Sequence, residues 1–372
     1  MSLYDGALSV RPKFPDLCKL SLTFSGTGMI SAHFVADVQK LDWPGKSYNH
    51  VVQAIAASSL EKCYDFAEEH FPSANKSERP TLYGSYSELY ADDSVDCIYV
   101  AIPHAFHKQV CLDAIAAGRN ILCEKPLAMN EREAKEIFDA ANRKGVFVME
   151  AMWTRFFPLM RGLRNSLYQR KDIGTIYRTV CDFGLPIDIN SLPDGNRYKD
   201  PALGAGSLLD IGIYSLTHCL VSLAGDVGEE MEDPDIVGFQ SLFHGSLGPI
   251  DLTTSIILRW PTTGRQGIAM STTNFEGPRD FARIDGSEGY IVLTGLSPAK
   301  PDCFTIHYRD GTSTKHDFER PGRGIFWELD SVAADLRVGR VQNSVMPWEE
   351  TLRVLRIMDT VRRRNGASFP VD

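Results

Sequence analysis

The sequence predicts an α/β protein with two domains: a doubly wound domain with a parallel sheet, then an α+β domain with a large, mostly antiparallel, open-faced sheet. Its 372 residues are enough for two domains. Up to Met152, short apolar runs alternate with helical periodicity, which is typical of parallel strands joined by helical crossovers. From Trp153 onward, strand-like runs follow one another directly, which indicates antiparallel pairing. We therefore expect domains at 1–152, with 1–18 as an extension, and at 153–372.

Five strands and four helices are expected in the first domain. The helices show apolar residues at helical spacing, as at Ile30, Phe34, Val35 and Val38. The predicted strands are residues 20–25, 51–56, 96–102, 120–123 and 146–149, and the helices after the first lie at 60–70, 107–117 and 131–144.

The second domain is predicted to contain a helix over 208–223 that precedes most of its sheet. Gly, Pro and Asp separate the strand-like runs. The predicted strands are 176–183, 235–243, 255–260, 267–273, 289–293, 304–308 and 314–318. Two amphipathic helices, at about 325–338 and 349–363, close the chain and could pack back on the first domain.

Composition excludes several classes of protein. With 43% hydrophobic and 23% charged residues the chain is neither disordered nor fibrous. Its net charge of −9 argues against a nucleic-acid groove. The N-terminus lacks a signal-peptide pattern, and no apolar stretch reaches the roughly 20 residues of a membrane span. The eight cysteines are scattered, so we expect buried thiols in a reducing compartment, no metal site, and a soluble cytoplasmic protein.

A glycine-rich turn, Gly26-Thr27-Gly28-Met29-Ile30-Ser31, separates the first predicted strand from the first helix. The glycines permit close approach of backbone to a pyrophosphate, and the helix N-terminus supplies unpaired N–H donors. Ser31 replaces the third glycine of G-x-G-x-x-G and is small enough for helix–strand packing. In this context the motif predicts a Rossmann dinucleotide-binding domain, and an ordinary glycine turn is the alternative.

The end of the second predicted strand bears on the choice of dinucleotide. A carboxylate there would bind the ribose 2′-OH of NAD, but the sequence Ala56-Ala57-Ser58-Ser59-Leu60-Glu61-Lys62 has none at the strand end. The hydroxyls of Ser58 and Ser59 and the ammonium of Lys62 could hold a 2′-phosphate, so NADP(H) is expected, with NAD as the alternative. Ser58 or Ser59 could also cap the next helix, with Glu61 completing a capping box from Ser58. An N-cap is also an anion site, so both roles are compatible.

Glu124-Lys125-Pro126 follows a short buried strand at the carboxyl edge of the predicted sheet, where open α/β sheets bind ligands. With this motif the chain resembles the Gfo/Idh/MocA family (glucose-fructose oxidoreductase, inositol dehydrogenase, rhizopine catabolism) of NAD(P)-dependent sugar oxidoreductases. The resemblance covers nearly the whole chain. Its motifs are Gly26-x-Gly28-x-Ile30, Tyr86-Ser87-Glu88-Leu89, Val100-Ala101-Ile102-Pro103 with His107, Glu124-Lys125-Pro126, and Gly204-x-Gly206-x-Leu208-x-Asp210-x-Gly212.

Two branches of that family are most similar to this sequence: the dimeric dihydrodiol dehydrogenases and the fungal NADP-dependent D-xylose dehydrogenases. Segments 147–158 and 209–214 resemble both branches. Segments 324–328 and 346–350 are more similar to the xylose branch, as is the Ser58-Ser59 pair, where animal dihydrodiol enzymes carry an arginine.

Asp210 and Tyr214 lie four residues apart in a predicted helix, so both project from one face. The resemblance implies that Lys125 and Tyr214 are the acid/base pair and that Asp210 orients the substrate or Lys125. Oxidising a hydroxyl requires removal of its proton as hydride leaves the carbon. We expect the Lys125 ammonium and the cationic nicotinamide to lower the pKa of Tyr214 from its ordinary value of about 10. The alternative is that Asp210 and Tyr214 are buried polar groups of a structural helix.

Trp153, Arg155 and Phe156 are the further candidates for substrate binding, together with Asp210 and Tyr214. An aromatic face can pack on a sugar ring, and an arginine can donate two hydrogen bonds to its hydroxyls. Trp153 and Phe156 would fit a core equally well, whereas Arg155 is harder to bury without a function.

Cofactor-binding residues are expected on several loops of the first domain. His107 either lines the cofactor pocket, which we favour, or caps the helix that it begins. The candidate cofactor residues are Gly26, Thr27, Gly28, Met29, Ile30, Ser58, Ser59, Lys62, Ile102, Pro103, His104, His107, Glu124 and Lys125.

These features predict an NADP-dependent oxidoreductase that oxidises an aldose such as D-xylose at C1 to the lactone, with hydride passing to nicotinamide C4. A trans-dihydrodiol dehydrogenase, or a reductase of dicarbonyls or other less polar substrates, is the alternative within the family. A non-catalytic NADP(H)-sensing regulator is the alternative from another class, and the presence of Lys125, Asp210 and Tyr214 argues against it. We expect a small-molecule substrate, no nucleic-acid or membrane partner, and a homodimer formed through the second domain's sheet.

Overall fold

A computed structural model describes residues 28–39, 48, 50–72, 79–225 and 232–372. Within these residues the chain forms five short parallel strands in two groups, followed by one eight-stranded sheet. The predicted strand 20–25 and the first residues of the glycine turn, Gly26 and Thr27, lie outside the described residues. Helices connect the parallel strands, as the alternating pattern predicts.

In the parallel part, β1 pairs with β2, and β4 lies between β3 and β5. Strands β3 and β5 are buried throughout, because helices cover both faces of a parallel sheet. The elements are α1 Met29–Gln39, β1 Ala54–Ala56, α2 Leu60–His70, β2 Thr81–Tyr83, α3 Tyr86–Tyr90, β3 Cys97–Val100, α4 His107–Ala116, β4 Asn120–Glu124, α5 Glu131–Lys144 and β5 Val148–Ala151.

The eight-stranded sheet has the order β13-β12-β11-β10-β6-β9-β8-β7, and all its neighbours are antiparallel except β6 and β9. The prediction of a mostly antiparallel sheet is therefore confirmed. Its strands are β6 Ile176–Gly184, β7 Asp235–Gly245, β8 Gly248–Arg259, β9 Gln266–Thr272, β10 Ala282–Gly286, β11 Gly289–Ser297, β12 Lys300–Tyr308 and β13 Ser313–Asp317. Strand β10 was not predicted, because only two of its five residues, Ala282 and Ile284, are apolar besides glycine.

Helix α7, Ile213–Leu223, is buried and packs on β6 and β9. The predicted helix 208–223 is not uniform, because Leu208–Gly212 is a π-helical turn that leads into α7. The stretch Pro201–Leu223 is long and apolar enough to cross a membrane, but 94% of its most apolar window is buried against the rest of the protein, as in a core helix.

The C-terminal helices α8, Phe326–Arg337, and α9, Trp348–Arg364, pack against the parallel part, while α6, Pro158–Arg164, follows β5. The indole N–H of Trp348 donates to the Val148 carbonyl at 2.8 Å. The Thr351 hydroxyl donates to the buried Glu150 carboxylate at 2.8 Å. These contacts join the end of the chain to β5, next to the carboxyl edge of β4.

Cysteine side chains contribute to the core in both parts of the molecule. The seven cysteines in the described part of the chain are buried free thiols, as the scattered pattern predicts. Cys18 lies outside that part.

Candidate active site

Lys125 follows β4 directly, and its ammonium reaches across to the segment that precedes α7. Its Nζ donates to the Asp210 carbonyl oxygen at 2.6 Å and lies 3.4 Å from Asp210 Oδ1. The same Nζ is 5.1 Å from the centre of the Tyr214 ring. The structure thus brings together the three residues that sequence analysis selected as catalytic.

Asp210 carries its negative charge between two cations. Arg197 Nη2 lies 3.1 Å from Asp210 Oδ1, and the guanidinium stacks on the Tyr198 ring at 4.2 Å. Burial raises the pKa of Asp210, but the charges of Lys125 and Arg197 outweigh it and bring this pKa to about 2. Asp210 is therefore an ionised carboxylate at neutral pH. The Arg197 side chain is 41% exposed, so it lies at the solvent side of the group.

Tyr214 is buried, and its hydroxyl accepts a hydrogen bond from Trp153 Nε1 at 2.7 Å. We expected the pKa of Tyr214 to be lowered. The groups of the protein itself have the opposite effect, so this expectation is wrong for them. Burial and the negative charge of Glu124 raise the pKa of Tyr214 well above its ordinary value, and the Trp153 hydrogen bond only partly opposes them. The phenol is therefore strongly favoured over the phenolate.

A group of buried acids lies behind Tyr214. Glu124 accepts a hydrogen bond from the Tyr99 hydroxyl, and the backbone N–H of Lys125 donates to it at 3.2 Å. Glu328, in the first turn of α8, is 1% exposed, and its Oε2 has no hydrogen-bond partner in the described part of the chain. Burial and the charge of Glu124 raise the pKa of Glu328 well above its usual range.

His107 holds two loops together. Its Nδ1 lies 2.9 Å from the Pro126 carbonyl oxygen and its Nε2 lies 2.8 Å from that of Ile102. Both ring nitrogens contact backbone carbonyl groups. His107 therefore joins the Ile102-Pro103 turn to the loop after β4, and this role replaces its interpretation as a residue that lines the cofactor pocket. Burial lowers its pKa.

His104 is buried at the start of the short turn before α4. Its Nδ1 has no hydrogen-bond partner within the described residues. Burial, His107 and Lys125 hold the pKa of His104 well below its ordinary value. A Cβ at Gly204, whose φ is +82°, would come within 3.1 Å of this nitrogen, so glycine is needed at that approach.

The three further substrate candidates have different surroundings. Arg155 is buried, with Nη1 3.2 Å from Glu350 Oε1 and Nε donating to the Val345 carbonyl at 3.0 Å. Its guanidinium is used in holding α9, and it is therefore withdrawn as a substrate residue. Trp153 contacts Tyr214 directly, and Phe156 is half-buried against the core.

The residues expected to bind the dinucleotide fit a phosphate-bearing ligand. Helix α1 begins at Met29, and a Cβ on Gly28 would meet no described residue within 4 Å, so none of these residues would hinder close approach to the backbone there. Lys62 Nζ donates to Ser58 Oγ at 2.9 Å. Ser59 caps α2 by accepting from the Lys62 backbone N–H at 3.4 Å, which corrects the alternative of a capping box from Ser58.

Comparison with known proteins identifies the family. Residues 22–152 match the sequence model of the Gfo/Idh/MocA oxidoreductases, which have an NAD-binding Rossmann fold. The chain is 32% identical over 342 residues to the D-xylose 1-dehydrogenase (NADP(+)) of Hypocrea jecorina, an alignment that covers 86% of this chain and 85% of that protein. This chain belongs to the Gfo/Idh/MocA oxidoreductase family. The trans-1,2-dihydrobenzene-1,2-diol dehydrogenase of Xenopus laevis is 33% identical over 352 residues, with 92% and 97% covered.

Solved structures of Gfo/Idh/MocA enzymes share the fold. The aldose-aldose oxidoreductase from Caulobacter crescentus, complexed with glycerol, matches with a TM-score of 0.76 at 20% identity, covering 93% of this chain and 97% of that one. Levoglucosan dehydrogenase, in complex with NADH and levoglucosan, matches with a TM-score of 0.78 at 20% identity, covering 94% and 97%. These matches confirm the predicted fold class.

Sequence reasoning missed two residues of this Gfo/Idh/MocA site. Arg197 stands in an irregular segment before the Gly204 turn, and nothing in its spacing connects it to Asp210. Glu328 lies in a predicted amphipathic helix, where a glutamate is ordinarily solvated. Only the unusual apolar surroundings of Glu328, between Phe326-Trp327 and Leu329, could have indicated burial.

Proposed function

We propose that the protein is an NADP-dependent oxidoreductase that oxidises an aldose such as D-xylose at C1 to the lactone. The observation that carries this proposal is the contact of Lys125 with Asp210 beside the Tyr214 ring, at the carboxyl edge of β4. The group offers a proton acceptor, a cation and an ionised carboxylate to one substrate hydroxyl. The D-xylose 1-dehydrogenase relative supports an aldose as substrate.

In the proposed reaction, the C1 hydroxyl gives its proton to the phenolate form of Tyr214 as hydride leaves C1, and the alcohol becomes a carbonyl. When bound, the nicotinamide ring supplies the hydride acceptor and a positive charge near the phenol. Because burial and Glu124 raise the pKa of Tyr214, the phenolate depends on that charge, on Lys125 and on the Trp153 hydrogen bond. Asp210 holds the Lys125 ammonium and can accept a hydrogen bond from a second hydroxyl.

NADP is the proposed cofactor because of the donors at the end of β1. The Ser58 hydroxyl and the Lys62 ammonium lie together at the N-terminus of α2, and both are exposed. Strand β1, Ala54–Ala56, ends without a carboxylate that would repel a 2′-phosphate. The NADP-dependent relative from Hypocrea jecorina supports this choice.

The raised pKa of Tyr214 favours a second candidate, the reduction of a carbonyl compound such as a dicarbonyl. In that direction the neutral phenol donates its proton to the carbonyl oxygen as hydride arrives. No phenolate has to form before the chemical step. Dehydrogenation of a dihydrodiol, suggested by the Xenopus laevis relative, uses the same residues in the oxidative direction.

A substrate panel tests these candidates. Purified protein is assayed with aldoses, diols and dicarbonyls, each with NADP(H) and NAD(H), by the absorbance of the reduced nicotinamide. We expect the highest kcat/KM for an aldose with NADP. Tyr214→Phe should abolish turnover and keep NADPH affinity within a few-fold, while Tyr177→Phe on the exposed face of β6 is the control. Activity confined to dicarbonyls would support the second candidate, and NADPH binding without any turnover would support a sensing regulator.

The open face of the eight-stranded sheet supports a homodimer. Val237 on β7 lies directly opposite Ile257 on β8, and Phe239 on β7 is 69% exposed. A row of exposed apolar residues on a sheet face is typical of an interface. Light scattering after gel filtration should give the mass of two chains, and Phe239→Lys should shift it toward one. A wild-type protein with the mass of one chain would contradict the dimer.

We propose a cytoplasmic location because the described cysteines are free thiols. The free, buried thiols of the described residues suit a reducing compartment. Fractionation of cells that express the tagged chain should recover it with soluble cytoplasmic markers, and recovery in membranes or in the medium would contradict this location.

A further inference from the structure

Basic side chains gather beside α1, on the side that faces the segment before α8. Arg320 and Arg323 belong to that segment, and Lys300 is the first residue of β12. His33 lies on α1, and burial together with the charges of Arg323 and Lys300 lowers its pKa to about 4. These four residues, called here the basic cluster, are half-buried.

A buried carboxylate fixes the segment along α1. Asp37 accepts hydrogen bonds from the backbone N–H groups of Arg323 and Ile325, each at 3.0 Å. Met29, His33 and Asp37 are spaced four residues apart, so they share one face of α1. The basic cluster therefore lies along the face that begins at the helix N-terminus. Met29 at that end is 70% exposed.

Three side chains of the basic cluster form no ion pair in the described part of the chain, although the buried Asp37 lies nearby. The Arg320 guanidinium donates to Asp302 at 3.0 Å. By contrast, no hydrogen bond or ion pair joins the side chains of His33, Lys300 or Arg323 to any group in the described part of the chain. Burial and the charges of Arg323 and Arg320 lower the pKa of Lys300, and the charge of Asp37 only partly opposes them. Half-buried cations that lie close together repel one another and lose part of their hydration, and a bound anion would stabilise them.

We propose that Lys300 and Arg323 bind the pyrophosphate of the dinucleotide from the side opposite the α1 amides. His33 is one turn from Met29, about 6 Å along the axis at about 1.5 Å per residue, so the cluster is within reach of a phosphate at the helix N-terminus. Lysine and arginine are the side chains that most often bind phosphate. This inference rests on the dinucleotide binding of the proposed function.

Participation of these residues would make the cofactor site depend on both parts of the molecule. Lys300 comes from the eight-stranded sheet, and Arg323 from the connection between β13 and α8. The Gly28–Met29 end of α1 belongs to the parallel part. The dinucleotide would then bind fully only where the two parts pack together.

Binding measurements test the inference without relying on turnover. The Kd values of NADPH and NADH are measured by titration calorimetry for the wild-type protein, Lys300→Met and Arg323→Gln. We expect each variant to bind both dinucleotides about tenfold more weakly, because NADPH and NADH share the pyrophosphate. Lys62→Met should weaken NADPH alone. Lys315→Met on β13 and Arg309→Gln in the turn before it are matched controls, and melting curves confirm that every variant is folded.

Each other outcome counts against the inference. Unchanged Kd values in folded variants would overturn it. Weaker binding of NADPH alone would assign the basic cluster to the 2′-phosphate, and an increase in KM for a phosphorylated sugar with unchanged dinucleotide affinity would assign it to a substrate phosphate. A wild-type protein that binds neither dinucleotide would contradict the proposed function as well, whereas wild-type binding with unaffected variants contradicts this inference alone.

Discussion

The two ends of the proposed dinucleotide site hold their charged groups in different ways. At the catalytic end, Lys125 is largely buried and bonded to Asp210 at 2.6 Å, and Trp153 is bonded to Tyr214 at 2.7 Å. At the ribose end, Ser58 and the Lys62 ammonium are exposed and bonded to each other at 2.9 Å. Charges interact strongly when water is excluded and weakly when it is present. Substitutions at the catalytic end should therefore have much larger effects than substitutions at the ribose end.

The largest effect is expected from Lys125→Met. Loss of the ammonium leaves Asp210 with less compensation and removes the positive charge beside Tyr214, so kcat should fall by about a thousandfold. The NADPH Kd should stay within a few-fold. Steady-state kinetics and a fluorescence titration measure the two quantities, with Lys135→Met on the exposed face of α5 as the control. A kcat within tenfold of the wild-type value would contradict a catalytic role for Lys125.

Acid should destabilise the catalytic end through His218, which lies one turn beyond Tyr214 on α7. Burial lowers the pKa of His218 to about 4, and Nε2 lies 2.8 Å from the Pro298 carbonyl oxygen. The unfolded chain binds this proton near pH 6.5 and the native protein only near pH 4, so stability present above pH 6.5 is lost as the pH falls. The full loss is about 3 kcal/mol.

Urea unfolding at pH 7.5 and pH 4.5 measures this loss. His218→Asn, which cannot take up the proton, should lose about 2 to 3 kcal/mol less than wild type between the two pH values. His316→Asn on the edge strand β13 is the control. If His218→Asn and the wild-type protein lose the same free energy of unfolding between the two pH values, protonation of His218 does not cause the acid sensitivity.

A smaller effect is expected from Trp153→Phe. The indole N–H favours the ionised form of Tyr214, so its loss should raise the pKa of Tyr214 further. In the oxidative direction the rising limb of kcat/KM should move about one pH unit upward, with kcat at neutral pH about tenfold lower. Trp327→Phe, which alters a ring packed on Phe157, is the control. An unchanged pH profile would mean that the hydrogen bond only positions the ring.

The smallest effect is expected at the ribose end, from Ser58→Asp. Repulsion of a 2′-phosphate should lower the NADP-to-NAD ratio of kcat/KM by about fivefold, and added salt should reduce the change because the site is open to water. Ser313→Asp on β13 is the control. A constant ratio would remove Ser58 from cofactor selection, and a change as large as that of Lys125→Met would contradict the contrast between the two ends.

Local periodicity was enough to predict most of the fold, because buried parallel strands and amphipathic helices leave regular patterns. Helix α2 matches its predicted bounds, while β10 was missed because Ala282 and Ile284 are its only two apolar residues and do not form an apolar run. In the site, motifs indicated Lys125 and Tyr214. The pairing of Arg155 with Glu350 could not be predicted, because residues distant in the chain carry no common spacing.

The same limit applies to protonation. Asp210 and Tyr214 are close neighbours in sequence, yet the pKa of the first is lowered to about 2 and that of the second is raised well above its ordinary value. Burial raises both pKa values, but the charges of Lys125 and Arg197 outweigh it at Asp210, whereas the charge of Glu124 adds to it at Tyr214. These partners come from other parts of the chain, so the sequence around Asp210 cannot show the direction of either shift.

The hydrogen bonds from α9 to β5 have a consequence for biosynthesis. Glu150 is buried in the parallel part, and one of its two bonding partners, the Thr351 hydroxyl, lies 201 residues later in the chain. The nascent nucleotide-binding part therefore has an incompletely satisfied carboxylate and an uncovered strand until α9 has been synthesised and packs on β5. A chain that terminates early, before Trp348, would keep the whole glycine motif and all the strands of the three described sheets and still be a substrate for chaperones and proteases.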